Sequence, residues 1–399
     1  MSSLLIISAL FPPEPVVSAN LSKDIAETFA ENNDVLVICP FPTRPDGFSF
    51  NTELINTRYK VKRIKSFTSP KSTIIGRFYE SYSFGRSCVR YMRKDAKKYK
   101  CIYINSWPLL SQYMIVKEAK RNNIPCVLHV QDIYPESLLN KISFGKGLVN
   151  KLLLPIDKYI LHNSELIIAI SENMKRSLVA TRNIPSEKVE IIPNWQDERS
   201  FINYRPNCNT VCLDKNTTTR FMYLGNIGPV AGIDYVIRAF HKAKLENAEL
   251  VIAGEGSRKM DCMHLVNELE INNIKFLEVP EGMVPAVQDQ ADVLLLPVKK
   301  NAAMSSIPSK LPAYMFSSKP IIGSLDIESD TAKAIVNSGC GLVVPPEDEG
   351  ELINAFVKAS EWSVLERIQK GNCGFEYAMQ HFSKKSNLLK LVLLINRLL

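Results

Sequence analysis

Two glycine-rich turns in the second half of the chain have the composition of a phosphate-binding site. Gly225-Asn226-Ile227-Gly228 follows an apolar run and precedes a helical pattern, and Gly254-Glu255-Gly256 follows the next apolar run. Glycine lets backbone N–H groups approach a diphosphate closely, and small residues leave room for a nucleoside. The first turn lacks the Lys-Ser/Thr ending of a P-loop, which argues against an ATPase. Together the turns predict a nucleoside diphosphate site.

A lysine at the start of a predicted helix indicates where an anion could lie. The segment 307–315 reads as a helix start, with Ser309 as its capping residue and Lys310 in its first turn. The helix dipole opposes a cation there unless an anion is close by. Lys310 is therefore interpreted as a phosphate ligand, with a surface lysine extending into solvent as the alternative.

Acid–base groups cluster in the first half of the chain, directly after an apolar run. His129 belongs to that run, and Asp132 and Glu136 follow it. Strand alternation places His129 and Asp132 on opposite sides, so the two carboxylates are predicted to face a substrate and act in catalysis. Asp132 could instead cap a helix, and His129 could be a core histidine. Glu14 stands in the same way at the exit of the first predicted strand.

Positive charge is concentrated in one segment. The net charge is +8, and residues 71–100 contain nine basic and two acidic residues interleaved with aromatic ones. This pattern is compatible with a helix that meets an anionic membrane or a polyanion, and equally with a solvated helix that covers a sheet. Residues 138–161 present the same choice, between an interfacial surface and core packing.

Short β-branched runs alternate with helical patterns along both halves of the chain, which predicts an α/β fold with two parallel sheets. Ligands of such sheets bind at the carboxyl ends of the strands, where the residues above lie. No run of about eighteen apolar residues occurs, so no spanning helix is expected. Of the nine cysteines, only Cys208 and Cys212 are close together, and they lack the partners of a zinc site.

The chain resembles the family 4 retaining glycosyltransferases of GT-B fold, and within them the bacterial fucosamine-transferase-type enzymes. The resemblance rests on a series of motifs: Phe11-Pro12-Pro13-Glu14, Asp132-Ile133-Tyr134-Pro135-Glu136-Ser137, Ile192-Pro193-Asn194-Trp195, Leu224-Gly225-Asn226-Ile227-Gly228, Ala253-Gly254-Glu255-Gly256 and Pro308-Ser309-Lys310-Leu311. It implies two Rossmann-like doubly wound domains facing a central cleft. The expected boundaries are an acceptor domain over 1–197 completed by a helix over 380–399, a linker over 198–218, and a donor domain over 219–379.

The same resemblance implies a reaction. The expected enzyme moves a sugar from a nucleotide diphosphate donor, a UDP-sugar carrying an N-acetylated amino or deoxy sugar, to a lipid-linked saccharide in O-antigen or capsule biosynthesis. It would work on the cytoplasmic face of the inner membrane, as a peripheral protein, without a metal ion and without nucleic acid. Further residues are implied on the acceptor side (Ser18, Asn20) and on the donor side (Val279, Leu311).

The sequence departs from the family pattern at several site positions. The family's two glutamates fall on Ser305 and Ala313, and the basic residues of its diphosphate loop fall on Asn226 and Ala231. Two alternatives therefore stay open: a sugar-nucleotide epimerase of similar architecture, and a non-catalytic GT-B subunit that binds nucleotide.

Overall fold

The computed structural model describes residues 3–43, 50, 57–69, 73–95, 98–105, 108–139, 142, 145–204, 218–300, 302 and 307–399, with only the backbone of Val17 and Asp95. The chain divides into two compact units. The first unit comprises residues 1–193 and 387–399, and the second comprises residues 194–386.

The first unit is a parallel sheet with helices between its strands. In the part of the chain that the structure describes, seven strands have the order β3-β2-β1-β4-β5-β6-β7. They are β1 (Ser3–Ile7), β2 (Asp34–Pro40), β3 (Lys60–Ile64), β4 (Cys101–Asn105), β5 (Cys126–Val130), β6 (Leu166–Ala169) and β7 (Val189–Ile191). The helices are α1 (Val17–Phe29), α2 (Ile74–Asp95), α3 (Leu109–Arg121), α4 (Glu136–Leu139), α5 (Lys146–His162) and α6 (Glu172–Arg182), with a 3₁₀ turn at Ser186–Lys188.

The second unit repeats this plan. Its described residues form six parallel strands in the order β10-β9-β8-β11-β12-β13. The strands are β8 (Thr219–Leu224), β9 (Ala248–Ala253), β10 (Ile274–Leu277), β11 (Val293–Pro297), β12 (Ile321–Ser324) and β13 (Gly341–Val344). The helices are α7 (Arg199–Ile202), α8 (Ile233–Ala243), α9 (Lys259–Glu268), α10 (Val284–Asp289), α11 (Lys310–Phe316), α12 (Asp330–Ser338), α13 (Glu349–Ser360) and α14 (Val364–His381), and α15 (Lys384–Asn396) runs on into the first unit.

Strand burial explains why short apolar runs predicted the sheets. Every residue of β4, β5, β9 and β11 is buried, as in parallel strands covered by helices on both faces. In each sheet the strand order reverses beside the first strand of the unit, with β1 between β2 and β4 and β8 between β9 and β11. Ligands of open α/β sheets bind at this reversal, beyond the carboxyl ends of the strands. The predicted fold class, α/β with two Rossmann-like doubly wound units, is confirmed.

The division between the units differs from the predicted boundaries at 197 and 380. Residues 194–197 belong to the second unit, and the chain returns to the first unit only at Asn387. Glu198, placed in a linker by the sequence, is buried, and its carboxylate accepts hydrogen bonds from Ser383 Oγ at 2.8 Å and Lys384 N at 2.9 Å. Residues 205–217 of that predicted linker, with Cys208 and Cys212, lie outside the described residues. Within the described chain, no helix has the length and apolarity needed to cross a membrane.

Candidate donor and acceptor sites

The two glycine turns of the second unit are bonded to each other. The amide of Gly225 donates to the Ala253 carbonyl at 2.9 Å, and the amide of Ile227 donates to the Glu255 carbonyl at 2.8 Å. The strand pairing of β8 with β9 therefore continues into the turns, which fixes their backbones at the end of the sheet where a ligand is expected.

The glycines are required by this close approach. Gly225 and Gly254 have φ of 147° and 128°, which other residues rarely adopt. A Cβ on Gly254 would overlap the Gly225 carbonyl oxygen, and a Cβ on Gly256 would overlap the Ile227 carbonyl oxygen. The glycines therefore serve a close approach between the turns themselves, whereas the predicted approach to a donor diphosphate stays a prediction.

Asn226 occupies the exposed tip of the first turn. Its carbonyl oxygen accepts a hydrogen bond from the Tyr223 hydroxyl at 2.6 Å, which anchors the tip to the end of β8. Within the described part of the chain, the amides of Asn226 and Gly228 donate no backbone hydrogen bond, unlike those of Gly225 and Ile227. The first turn therefore keeps donor groups that a phosphate could use.

Lys310 lies against the first turn. A Cβ on Gly225 would overlap Lys310 Cε, so the absence of a side chain at Gly225 leaves the space that the lysine stem fills. Lys310 Nζ donates to the Tyr223 hydroxyl at 2.6 Å and lies 4.4 Å from the centre of that ring. Burial lowers the pKa of Lys310 to about 8 and raises that of Tyr223, so at neutral pH an ammonium donates to a neutral phenol. The half-buried Lys310 is therefore held at the turn, which favours the phosphate interpretation over a solvent-extended lysine.

Two residues predicted near Lys310 differ in part from their predicted roles. Ser309 takes the N-cap position of α11, as predicted, but it is exposed, has helical backbone angles and makes no capping hydrogen bond with its side chain. Leu311 is completely buried in the core, and its amide donates to the Pro308 carbonyl at 3.0 Å. Leu311 is therefore a packing residue that supports the site from behind, rather than a donor contact. Val279, after β10, is half-buried against the same core.

The family-pattern departures fall on described and undescribed positions. Ala313, which stands where the family has a glutamate, is buried in α11. Ser305, at the position of the other glutamate, lies outside the described residues. At the residue after Ala313, the Tyr314 hydroxyl accepts from the Leu224 amide and donates to the Leu224 carbonyl, each at 2.9 Å. Tyr314 thus ties α11, and with it Lys310, to the end of β8.

In the first unit, Glu136 is bound in an ion-pair network instead of being free to face a substrate. Both carboxylate oxygens of Glu136 accept from the guanidinium of Arg182 at 2.6 Å, and Arg182 Nε donates to Asp157 at 2.9 Å. The Arg182 side chain is fully buried and also donates to the Tyr134 carbonyl. The prediction of a catalytic Glu136 is corrected: Glu136 holds the loop after β5 to α5 and α6.

The network sets the charges of its members. Burial raises the pKa of Glu136, but the hydrogen bonds from Arg182, a backbone hydrogen bond and the charge of Arg182 together outweigh burial and lower that pKa overall. Burial dominates at Asp157 and raises its pKa to about 6 despite the opposing effect of Arg182. Glu136 thus stays ionised near neutral pH, where it can accept hydrogen bonds but cannot act as a general acid.

Asp132 is the exposed carboxylate of this loop. It lines a pocket at the end of β5 together with Gln112, Tyr134, Asp157 and apolar side chains of α3 and α5. The helix that follows, α4, begins only at Glu136, so Asp132 is not its capping residue. Of the two predicted catalytic carboxylates, Asp132 is the more exposed, and its contact with a substrate stays a prediction.

His129 is a buried histidine of the core. It has no exposed surface, its Nδ1 lies 2.5 Å from the Tyr103 hydroxyl, and burial lowers its pKa to about 3. The imidazole is therefore neutral, in line with the core alternative stated for it from the sequence.

Glu14 is also corrected, from an acceptor-side contact to a structural group. It is buried, and its carboxylate accepts a hydrogen bond from the Thr43 amide at 2.9 Å. Glu14 thereby joins the loop after β1 to the loop after β2.

The other two acceptor-side residues lie at the start of α1. The Ser18 carbonyl accepts from Ser22 Oγ at 3.0 Å and from Asn105 Nδ2 at 3.4 Å, which links α1 to the end of β4. The Ser18 side chain is half-buried and Asn20 is exposed. Both stand at the strand reversal between β1 and β4, and their contact with an acceptor stays a prediction.

Most of the basic segment forms α2, whose exposed side is apolar near its first residues and basic further along. Ile75 is 84% exposed, and Arg86 and Arg90 are exposed further along the helix. Among the described side chains, neither arginine has an acidic partner. Lys71 and Lys97 lie outside the described residues.

The second candidate surface, 138–161, is divided between the two interpretations. Leu153 and Ile160 of α5 are buried in the core, whereas Leu148 and Leu152 are 66% and 61% exposed. One side of α5 therefore packs the core, and the other is an exposed apolar surface.

Sequence reasoning missed Arg182 and Tyr223, which position the two sites. Arg182 lies in α6, far along the chain from Glu136, and its surrounding sequence has no local feature that indicates burial. Tyr223 precedes the first glycine turn by two residues, and a phenol so close to a predicted phosphate site was the available signal.

Comparison with solved structures identifies the fold. Sucrose-phosphate synthase from Thermosynechococcus elongatus superposes with a TM-score of 0.75 over 100% of this chain and 99% of that chain, at 17% identity. Anabaena HepE in complex with UDP-glucose superposes with a TM-score of 0.68 over 100% of both chains, at 16% identity. At these identities the likeness establishes the fold, which is that of the GT-B glycosyltransferases.

Sequence comparison identifies the family. The model of Glycosyltransferase Family 4 matches residues 19–199, and the model of Glycosyl transferases group 1 matches residues 218–361. The chain belongs to the family 4, group 1 glycosyltransferases. WcaI of Escherichia coli K12, a glycosyl transferase named for colanic acid biosynthesis, is 27% identical over 202 residues. That match spans 48% of this chain and 49% of WcaI, about half the length of each.

Proposed function

We propose that this glycosyltransferase moves a sugar from a UDP-sugar, with retention of anomeric configuration, to a lipid-linked saccharide in O-antigen or capsule biosynthesis. The observation that carries the proposal is the placement of Lys310 against the Gly225 turn, where a cation and backbone amides occur together. The UDP-glucose bound by HepE and the polysaccharide named for WcaI support the donor and the pathway class.

Breakage of the donor bond generates negative charge on the departing diphosphate. Preorganised N–H groups and a cation stabilise such charge most effectively where water is excluded. Lys310 and the amides of the first turn supply this stabilisation. As the anomeric C–O bond to phosphate breaks, the acceptor oxygen bonds to the anomeric carbon on the same face, and its proton passes to a phosphate oxygen. This front-face sequence requires no enzymic nucleophile.

Asp132 orients the acceptor hydroxyl or assists its deprotonation. It is exposed in the pocket at the end of β5, and Arg182 fixes its loop through Glu136 and the Tyr134 carbonyl. Glu136 is in this scheme a positioning residue. A resident metal ion is not part of the scheme, because no Asp-x-Asp motif follows a strand.

The exposed side of α2 and the exposed leucines of α5 suit a peripheral contact with an anionic membrane. Arg86 and Arg90 would attract anionic headgroups, while Ile75 and the leucines would enter the interface. Such a contact would bring the first unit to a lipid-linked acceptor.

One assay tests the proposal. The protein is incubated with UDP-, GDP- and TDP-sugars, with and without a lipid-diphosphate saccharide and with EDTA present, and release of nucleoside diphosphate is measured. We expect release of UDP from a UDP-sugar only when the acceptor is present. The product of an α-configured donor should itself be α-configured. Conversion of the donor without acceptor would instead identify an epimerase, and binding without turnover a non-catalytic subunit.

A further inference from the structure

Lys299 follows β11 and is fastened by its backbone to the first glycine loop. Its amide donates to the Val230 carbonyl at 2.9 Å, and the next amide, that of Lys300, donates to the Glu347 carboxylate at 3.3 Å. Val298 N donates to Ser324 O at 2.8 Å, which continues the pairing of β11 with β12. The position of Lys299 beside the loop is thus set by three successive backbone amides, two bonded to backbone carbonyls and one to the Glu347 carboxylate.

The side chain of Lys299 runs along the far end of the same loop. Its Cγ and Cε each lie 3.5 Å from the position a Cβ would take on Gly232, which is ordinary van der Waals contact. Gly232 has φ of 58° and immediately precedes α8. Lys310 lies on Gly225, so the two lysines contact the first and last residues of the loop 225–232.

Among the described side chains Lys299, like Lys310, has no carboxylate partner, whereas two other cations near these turns do. Arg258 pairs with Asp261 at 2.9 Å, and Lys259 pairs with Glu255. No such ion pair involves Lys299 within the residues that the structure describes. The loop 225–232 itself contains no charged residue, so its cations must come from elsewhere in the chain.

We infer that Lys299 is a second phosphate-binding cation of the donor site, acting with Lys310 at opposite ends of the loop 225–232. The inference rests on the proposed nucleoside diphosphate donor. A diphosphate carries at least two negative charges, of which Lys310 can pair with one. Lys299 supplies the second positive charge. Its half-buried methylene chain already packs against Gly232, so its ammonium group loses less conformational entropy on binding.

The test compares Lys299→Gln with a control, Lys300→Gln. The control removes the same charge from the next residue, whose side chain is exposed. UDP, GDP, ADP and the matching nucleosides are titrated calorimetrically into the wild-type chain and each variant. We expect Lys299→Gln to weaken the nucleoside diphosphate that binds best by about tenfold and to leave its nucleoside unchanged. Lys300→Gln should bind both ligands like the wild type, and Lys299→Arg should retain most of the affinity.

The outcomes separate the inference from the proposed function. Wild-type binding that Lys310→Met weakens but Lys299→Gln does not would overturn the role of Lys299 alone. An equal loss for nucleoside and nucleoside diphosphate, or an equal loss in Lys300→Gln, would also overturn it. A wild-type chain that binds none of the nucleoside diphosphates would refute the donor site itself. Thermal melts of each variant confirm that the folded state is compared.

Discussion

The lowered pKa of Lys310 predicts that donor affinity depends on pH. Burial brings that pKa to about 8, and the ammonium is the form that can pair with a diphosphate. Rising pH removes the ammonium from the free protein, so nucleoside diphosphate affinity should fall as pH passes 8. Lys310→Met removes the charge but retains an apolar stem to fill the space over Gly225. This variant should have lost the pH dependence.

The magnitude follows from the titration. With a pKa of about 8, roughly nine tenths of Lys310 is protonated at pH 7 and roughly one tenth at pH 9. Affinity for the nucleoside diphosphate should therefore fall about tenfold over this range, or about 1.4 kcal/mol. A charge-assisted hydrogen bond contributes about 1.5 to 3 kcal/mol, so Lys310→Met should weaken binding at pH 7 by about one to two powers of ten.

Calorimetric titrations at pH 7, 8 and 9 measure both effects. The matching nucleoside, which lacks phosphates, controls for ionisation of the base and of the residues that bind it. Its affinity should be the same in the wild-type chain and in Lys310→Met at each pH. Proton uptake on binding, measured in buffers of different ionisation enthalpy, should appear at pH 9 in the wild type only. The reasoning would be refuted by wild-type affinity that is flat from pH 7 to 9, or by an unchanged pH dependence in Lys310→Met.

Three further predictions concern the first unit. Asp132→Asn, nearly isosteric, should lower acceptor-dependent turnover at least about tenfold with donor affinity unchanged, and undiminished turnover would remove Asp132 from the reaction. Arg182→Met should lower the free energy of unfolding by about 3 to 5 kcal/mol in urea titrations, because it leaves the buried Asp157 without its cation; a loss below about 1 kcal/mol would contradict the network. Reversing charge in Arg86→Glu/Arg90→Glu should reduce salt-sensitive sedimentation with anionic liposomes, and equal binding to neutral vesicles in the wild type would exclude an electrostatic contact.

Elements whose cause is local could be predicted from the sequence. The apolar run 126–130 coincides with β5, because a fully buried parallel strand is a continuous apolar segment. The run 274–277 coincides with β10, although only Ile274 is buried there. The edge strand Lys60–Ile64 was not predicted, since three of its five residues are basic and no apolar run marks it. The glycine turns were recognised because their backbone angles and close approach restrict residue type directly.

Features that depend on distant residues were not predictable in this way. The interpretation of 198–218 as a linker failed at Glu198, whose partners Ser383 and Lys384 lie almost at the other end of the chain. Glu136 read as a catalytic group because its partner Arg182 is 46 residues away. A carboxylate at a strand end has the same local sequence whether it faces a substrate or an arginine, and only the fold distinguishes the two cases.

The interlocked glycine turns constrain how donor preference could be altered by directed evolution. Because side chains on Gly254 and Gly256 would overlap backbone atoms of the opposite turn, substitutions at these sites would be eliminated whatever sugar is selected for. The tolerant positions are the exposed ones between the fixed points, Asn226, Pro229 and Val230. A combinatorial library restricted to those three codons would vary the chemistry at the rim of the loop while every member keeps the same backbone scaffold.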